Sequence, residues 1–386
     1  MRIAIDARWI FKEISGIGAY TRELIGALIQ ADSSNEYVLY FESDAVRERT
    51  LSELQVEACD RITPRVLAHG VFDPRSQLKT PGILRRDGID IYHSTNYMTP
   101  LFAFPRSAAG PMRCVVTMHD VIPLKFPHFA PNSRKNRIFP LYRALMSEVA
   151  RRADIIIADS NSSRRDVIEH CRVPPDRERC VRTIYCGVAA RFAPPASRPP
   201  PDPSRERRIL YVGRADPYKN IGGLVRAFGQ ARRDGAPASR LVIAGSPDPR
   251  YPEAEQLARE LKLEDSVEWT GYLSEEQLVT TYQQADLLVL PSRYEGFGLP
   301  VVEAMACGVP VICSDQGSLP EVAGDAAVQV HPDDTDRLAA EIKRVLCDDS
   351  VWRNMSAGGI EHAKRFTWQR TAQQTLAIYT ELASHE

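Results

Sequence analysis

The chain carries almost no net charge: 49 Lys and Arg stand against 50 Asp and Glu, leaving a formal −1. A general nucleic-acid binder shows a clear basic excess, so that class is excluded. Long apolar runs are also missing, since none nears the roughly 18–20 residues that span a bilayer. Met1-Arg2 lead straight into Ile3-Ala4-Ile5-Asp6, with no apolar stretch and small-residue cleavage site, so no signal peptide is expected. The eight cysteines include no Cys-x-x-Cys pair, and no Cys/His cluster has zinc spacing. Most lie in apolar stretches, where a thiol acts as a small hydrophobe. A reduced, cytoplasmic protein is the expectation. No G-x-x-x-x-G-K-[ST] loop is present, which removes a P-loop kinase, and no G-x-S-x-G elbow supports an α/β hydrolase.

The neutral total conceals an asymmetry. Residues 1–200 hold 29 bases and 22 acids, whereas residues 201–386 hold 20 and 28. At about 150 residues per domain, the 386 residues suggest two or three domains. Short apolar runs alternate with helical patterns throughout. Strands are expected at Arg2–Asp6, Tyr37–Phe41, Ile89–His93, Cys114–His119, Ile155–Asp159 and Val181–Cys186. In the second half they are expected at Ile209–Val212, Leu241–Ala244, Val267–Thr270, Leu287–Leu290 and Val309–Cys313. Runs such as Ile-Ile-Ile-Ala lack polar alternation, as suits strands covered on both faces of a parallel sheet. Helical spacing appears at Ile17, Tyr20, Leu24, Ile25 and Leu28, and again over Trp368–Leu382, with Ala372, Leu376 and Tyr379 on one face. The pattern predicts doubly wound α/β. Six of the eleven residues 193–203 are proline, which breaks both helix and sheet and marks a stiff linker. The expected domains are 1–192 and 207–366, joined by 193–206, with the helix of about 367–386 packing back on the first. Ligands of such sheets bind beyond the carboxyl ends of the strands, so a cleft between the two domains is expected.

Four segments that follow strands carry chemistry. Glu295-Gly-Phe-Gly-Leu-Pro-Val-Val-Glu303 places two acids around a glycine turn and a helix start. Pro300 suits a first helical turn. The amides of Phe297, Gly298 and Leu299 form an anion cradle, and glycine lets the backbone approach closely. Glu303, one turn further on, can accept two hydroxyl hydrogen bonds, as from a ribose. Glu295 can reach a sugar ring. Arg214 and Lys219 lie in the loop Gly213–Asn220, where two cations can neutralise a diphosphate and stabilise charge developing on it. Asn220 reads as a helix N-cap. Gly16-Ile-Gly18 is a weaker glycine loop without the full dinucleotide fingerprint. His119-Asp120 ends a strand, and His93 sits at an equivalent place where it could line an acceptor side.

The first of these segments resembles the E-x7-E signature of retaining GT-B glycosyltransferases, and most closely family 4. The continuation Ala304-Met-Ala-Cys-Gly-Val-Pro-Val-Ile is similar as well. Gly213–Asn220 resembles that family's Gly-x-x-x-x-x-Lys-Asn loop. Gly16–Tyr20 resembles its first-domain glycine loop, and Asp159–Asp166 its Ser-x-x-Ser-x-x-Asp stretch. The opening Ile5-Asp6-Ala7-Arg8 looks like that of bacterial mannosyltransferases. The resemblance implies two Rossmann-like domains facing each other across a cleft. It implies that Arg214 and Lys219 bind the donor diphosphate, Glu303 the ribose, Phe297–Leu299 the diphosphate or sugar, and Glu295 the donor sugar. Gly16 and Gly18 approach the donor phosphate, and His119 contacts the sugar near the anomeric carbon. His119, Glu295, Arg214 and Lys219 are the expected catalytic set.

No cofactor is implied beyond a nucleotide-sugar donor, GDP-mannose by the likeness of the opening motif. The acceptor is a lipid-linked or oligosaccharide chain of a surface polysaccharide. UDP-glucose, UDP-N-acetylglucosamine or a GDP- or dTDP-deoxysugar are the alternative donors, and a non-catalytic sugar-nucleotide binder is the alternative class. An epimerase on the same fold is disfavoured by E-x7-E. Metal-dependent transferases of the other common fold use D-x-D. The close match here, Asp334-Thr-Asp336, reads as a helix start, so no metal is expected. Arg134, Lys135, Arg137, Arg143, Arg151 and Arg152, with Phe139, Leu141, Leu145 and Met146, read as a basic amphipathic helix suited to an anionic membrane surface.

Overall fold

The computed structural model describes residues 1–106, 110–129, 139–196, 205–246 and 248–384. These fall into two compact units. One is drawn from Met1–Lys125, Ile138–Gly187 and Thr367–Glu386, the other from Phe126–Arg137 and Val188–Phe366.

Among the described residues of the first unit, seven strands form one sheet: β1 (Arg2–Asp6), β2 (Glu36–Phe41), β3 (Ile62–Val66), β4 (Ile91–Ser94), β5 (Arg113–Met118), β6 (Ile155–Ala158) and β7 (Val181–Thr183). Their spatial order is β3-β2-β1-β4-β5-β6-β7, with parallel pairing. In the second unit the strands are β8 (Arg207–Val212), β9 (Ser239–Ala244), β10 (Val267–Gly271), β11 (Leu287–Leu290), β12 (Val311–Ser314) and β13 (Val328–Val330). Their order is β10-β9-β8-β11-β12-β13, again parallel. Both are the doubly wound order, in which the chain reverses direction between its first and fourth strands and leaves a crevice at that switch. The two α/β halves are therefore Rossmann-like, as expected.

Two strands are additions to the sequence reading, β3 and β13. Both lie at sheet edges. Ile62–Val66 contains Pro64, which an edge tolerates because one side of the strand needs no partner. Val328–Val330 is too short to register as a run. Other strands differ from expectation by a few terminal residues. The runs Ile155–Ala158 and Leu287–Leu290 are buried at every position.

The helices used below are α1 (Gly16–Ala31), α2 (Asp44–Leu54), α3 (Pro74–Arg86), α4 (Ile122–Lys125), α5 (Phe139–Arg152), α6 (Asn161–His170), α7 (Ile221–Arg233), α8 (Glu253–Glu260), α9 (Glu275–Gln284), α10 (Leu299–Ala306), α11 (Leu319–Ala323), α12 (Thr335–Cys347), α13 (Asp349–Ala363) and α14 (Trp368–Ala383). The last belongs to the first unit and packs on α1. It buries Trp368, Thr371, Ala372, Thr375, Ile378, Tyr379 and Leu382, while Leu376 is half-buried at the border of that stripe. At Gly187 an added Cβ would collide with the Trp368 backbone, so only glycine permits this approach.

The expected basic helix is described only in part. Arg134, Lys135 and Arg137 lie outside the described residues, as do residues 197–204 of the linker. On α5, Met146 is fully buried, and Phe139 and Leu145 pack on the core. Leu141 of the same helix is 66% exposed, so the apolar residues divide between the core and the surface. Arg152 also turns inward, its Nη1 donating to the carbonyls of Leu101 (3.0 Å) and Phe104 (2.6 Å).

No helix among the described residues is long and apolar enough to cross a membrane. Five cysteines are buried, and all eight are free thiols.

Candidate active site

In the second unit the switch lies between β8 and β11, so the loops that follow these strands meet there. The first loop carries Arg214 and Lys219, and the second carries Glu295. The Lys219 Nζ donates to both carboxylate oxygens of Glu295, each at 2.7 Å. The two side chains are 15% and 11% exposed. The ammonium also lies 5.2 Å from the Tyr218 ring centroid. Arg214 is the exposed cation of the pair, at 70%, and its Nε meets Asp216 at 3.1 Å. One cation is therefore held against Glu295, and the other reaches into solvent.

Asn220 stands at the start of α7 but does not cap it with its side chain. Its backbone is left-handed (φ 57°), and its Nδ2 donates to Pro332 O at 2.7 Å, with a longer bond to Pro291 O. The amide spends its donors tying three loops together, which corrects the N-cap expectation.

Gly298 precedes α10 with φ 99°, and Pro300 follows in the first turn. A Cβ on Gly298 would lie 2.6 Å from Leu319 Cδ2, so space and dihedral both call for glycine. The Val301 amide donates to Gly298 O at 2.9 Å, and Pro300 has no N–H. Amides available to an anion at this helix start therefore extend no further than Leu299. The Phe297 ring does not face a ligand. It is 5% exposed and packs edge-on against Phe366 at 5.8 Å.

Glu303 lies one turn into α10. Its Oε2 accepts from Tyr282 Oη at 2.8 Å. Burial pushes the Tyr282 hydroxyl well above its ordinary range, with the Glu303 charge adding to the effect. The phenol therefore stays a donor and fixes the orientation of the carboxylate.

Three supporting residues escaped the sequence reading. Ser318 lies before α11 and bonds through Oγ to Glu295 O (3.0 Å) and Phe297 O (2.9 Å). Arg293 donates its amide to Tyr218 O at 2.7 Å and pairs with Asp333, joining the two site loops. Asp216 holds Arg214. The available signal for Ser318 was its place after strand β12, one strand beyond the E-x7-E segment. Asp334, by contrast, is a helix cap: it accepts from Arg337 N at 3.0 Å. Among the described residues no group of His, Cys, Asp and Glu could hold a metal.

In the first unit the corresponding loops follow β1 and β4. Gly16 and Gly18 lie in the first turn of α1, not in a loop, and Ser15 caps that helix by accepting from Gly18 N at 3.3 Å. A Cβ on Gly18 would come within 3.2 Å of Trp9 O, so this glycine serves close packing, while Gly16 borders open space. Asp6 and Arg8 form a buried pair at 2.7 Å, with Tyr92 Oη donating to Asp6 at 2.6 Å.

His119 follows β5. Its Nδ1 meets Asp159 Oδ2 at 2.5 Å, and its Nε2 meets Thr95 O at 3.0 Å. Both contacts favour the protonated ring. Burial works against that charge, but the Asp159 carboxylate and both hydrogen bonds outweigh it and raise the His119 pKa. As placed, both ring nitrogens are engaged and the ring turns only C–H edges elsewhere. The Asp159–Asp166 stretch serves this residue. Ser160 caps α6, and Ser163 Oγ donates to His119 O at 2.9 Å.

His93 is corrected. It is fully buried, between Tyr379 Oη (2.6 Å) and Thr117 Oγ1 (2.9 Å). Burial, with the nearby His119 charge, lowers its pKa to about 3. It is a neutral core histidine that joins α14 to the sheet and lines no acceptor side.

Comparison with known proteins adds the following. Residues 195–362 match the family model of glycosyl transferases group 1, and residues 14–192 match that of glycosyltransferase family 4. The O-antigen chain mannosyltransferase B of Escherichia coli is 31% identical over 398 residues, covering 98% of this chain and 99% of that one. A D-inositol 3-phosphate glycosyltransferase of Corynebacterium aurimucosum is 32% identical, covering 61% of this chain and 58% of the relative. Among solved structures, sucrose-phosphate synthase from Thermosynechococcus elongatus superposes with a TM-score of 0.79 at 23% identity over the whole of both chains.

Proposed function

The chain belongs to the group 1, family 4 glycosyltransferases, and from that premise we propose that it transfers mannose from GDP-mannose, with retention, to a surface-polysaccharide intermediate. One geometric observation carries the site assignment. At the switch of the second unit, Lys219 and Glu295 meet beside the start of α10, with Arg214 in the same loop as Lys219. That grouping of cations, amides and a carboxylate supports a nucleoside diphosphate as the ligand.

In this reading Arg214 and Lys219 take the diphosphate, together with the backbone up to Leu299. Their charge matters most as the C1–O bond breaks and negative charge gathers on the departing phosphate. Glu303, oriented by Tyr282, accepts from the ribose hydroxyls. Glu295 orients the sugar, sharing Lys219 with the phosphate. The acceptor hydroxyl attacks C1 on the face the diphosphate leaves, and its proton passes to a phosphate oxygen. GDP and the α-mannoside result, and no metal takes part. His119 places its positive charge near the sugar. Mannose as the sugar is supported by the end-to-end likeness to the E. coli O-antigen mannosyltransferase. The acceptor is a lipid-linked or oligosaccharide chain, met peripherally at the inner face of the plasma membrane.

Thermal-shift measurements against GDP, UDP, dTDP and their sugars test the donor. A ligand at 100 times its Kd stabilises by about 2.7 kcal/mol. GDP and GDP-mannose are expected to raise the melting midpoint above the effect of the others. No response to any nucleotide overturns the reading, and a larger response to a uridine or thymidine sugar reassigns the donor.

A further inference from the structure

We infer that Phe192 is a positioning residue for the nucleotide, acting through Tyr282 on Glu303. The inference rests on the ribose role given to Glu303 above and extends it to a residue far outside the E-x7-E segment. A carboxylate that receives ribose hydroxyls must hold its plane, and Glu303 takes its orientation from the Tyr282 hydroxyl at 2.8 Å. That bond is only as fixed as the phenol ring, which turns about its own side-chain torsions. Tyr282 lies near the end of α9 and is fully buried. Phe192 meets its ring edge-on, with centroids 5.6 Å apart and planes at 86°. Phe192 is buried as well, so water does not enter between them. An edge-on pair sets the positive rim of one ring against the negative face of the other, and so resists rotation of either.

Phe192 is itself held in place along the whole of α9. Its neighbour Arg191 donates from Nη2 to Oε1 of Glu275, the first residue of that helix, at 3.1 Å. The same guanidinium lies 5.5 Å from the Phe192 ring centroid. At the other end of the helix, Gln283 Nε2 donates to Ala193 O at 3.0 Å. The Phe192 amide donates to Ala189 O at 3.0 Å, which closes a turn on its N-terminal side. All of these residues belong to the second unit. The backbone is thus fastened before and after the ring, and the ring edge is fastened to Tyr282. A leucine at this place would fill much of the space but present no ring edge. The phenol would then tilt and release Glu303 for part of the time.

Calorimetric titration of the full-length protein with GDP and with its ribose-deoxygenated analogues tests this. The readout is the ratio of the two affinities, which a mere loss of folded protein does not move. Phe192→Leu should lower that ratio by about threefold, within the range that an edge-on aromatic pair supports. Affinity for the analogues should stay at the wild-type value. Phe192→Met, closer in volume, should act in the same direction and serves where the leucine variant melts too early. In a Tyr282→Phe background the ratio should fall no further, because the path runs through the hydroxyl. Phe228→Leu, a change at a fully buried ring of α7, is the control and should keep the wild-type ratio. A wild-type ratio in both Phe192 variants overturns the proposal. So does an equal fall in Phe228→Leu, which would make the effect one of stability alone. A full further fall in the Tyr282→Phe background overturns it too, since Phe192 would then act by another path. If Glu303→Ala keeps the wild-type ratio, the ribose reading fails and this inference falls with it. If Glu303→Ala loses the ratio while both Phe192 variants keep it, only this inference falls.

Discussion

The Lys219 ammonium bonds both carboxylate oxygens of Glu295, a residue 76 positions further along the chain, at 2.7 Å each. Removing either partner leaves the other charge half-buried and uncompensated. Lys219→Ala should destabilise the second unit by on the order of 3 kcal/mol and lower kcat/KM at least a hundredfold. Glu295→Gln should also lower kcat/KM. The pair acts as a unit, so the double variant should lose clearly less than the product of the single losses. A double-mutant cycle on kcat/KM and on melting midpoint measures this. Strict additivity would show that the ion pair is incidental.

His119 predicts a pH dependence with a definite sign. Its folded pKa is raised above the ordinary value of about 6.5, so the folded state holds the proton more tightly. The stability from the Asp159 pair is therefore fully present below about pH 6.5 and fades as pH rises through the folded pKa. Chemical denaturation of wild type and Asp159→Asn across this range should give a difference that shrinks with rising pH. A difference that grew with pH would show that the ring is neutral.

Glu303→Ala should weaken GDP binding by about tenfold, or roughly 1.4 kcal/mol, the scale of a hydrogen bond to a charged group. The wild type should prefer GDP to its ribose-deoxygenated analogues, and the variant should lose that preference. Tyr282→Phe should fall between the two, because it frees the carboxylate without removing it. Calorimetric titration reads all three. A variant that kept its preference for the ribose hydroxyls would remove the ribose role from Glu303.

Gly298→Ala meets strain from both its φ of 99° and the nearby Leu319 methyl. A cost of about 1–3 kcal/mol is expected, with weakened nucleotide binding, since the same turn sets the amides before α10. An unchanged midpoint and Kd would mean that the turn relaxes freely.

Much of this was readable in advance. The parallel strands announced themselves as unbroken apolar runs, and Glu295 to Glu303 as a helix start after a strand. Ser318, Arg293 and Asp216 escaped notice because nothing local marks them. Each acts through a loop brought near by strand order. His93 looked equivalent to His119 along the chain, yet it lies in the core while His119 is partly exposed. His93 sits within β4 and is hydrogen-bonded by Tyr379, 286 residues away, and by Thr117. The basic stretch before Arg152 had the composition of a surface helix, and only the fold decided that Met146 enters the core while Leu141 stays exposed.

The unbroken apolar runs and their spacing thus determined an α/β chain without help from coordinates. Periodicity and glycine placement act within a window of a few residues, so sequence alone settled them. Tertiary structure alone decided which acid meets which cation, which histidine meets a carboxylate, and which apolar side chains remain in water. Those outcomes depend on desolvation and on partners supplied by distant strands, and no local pattern encodes either.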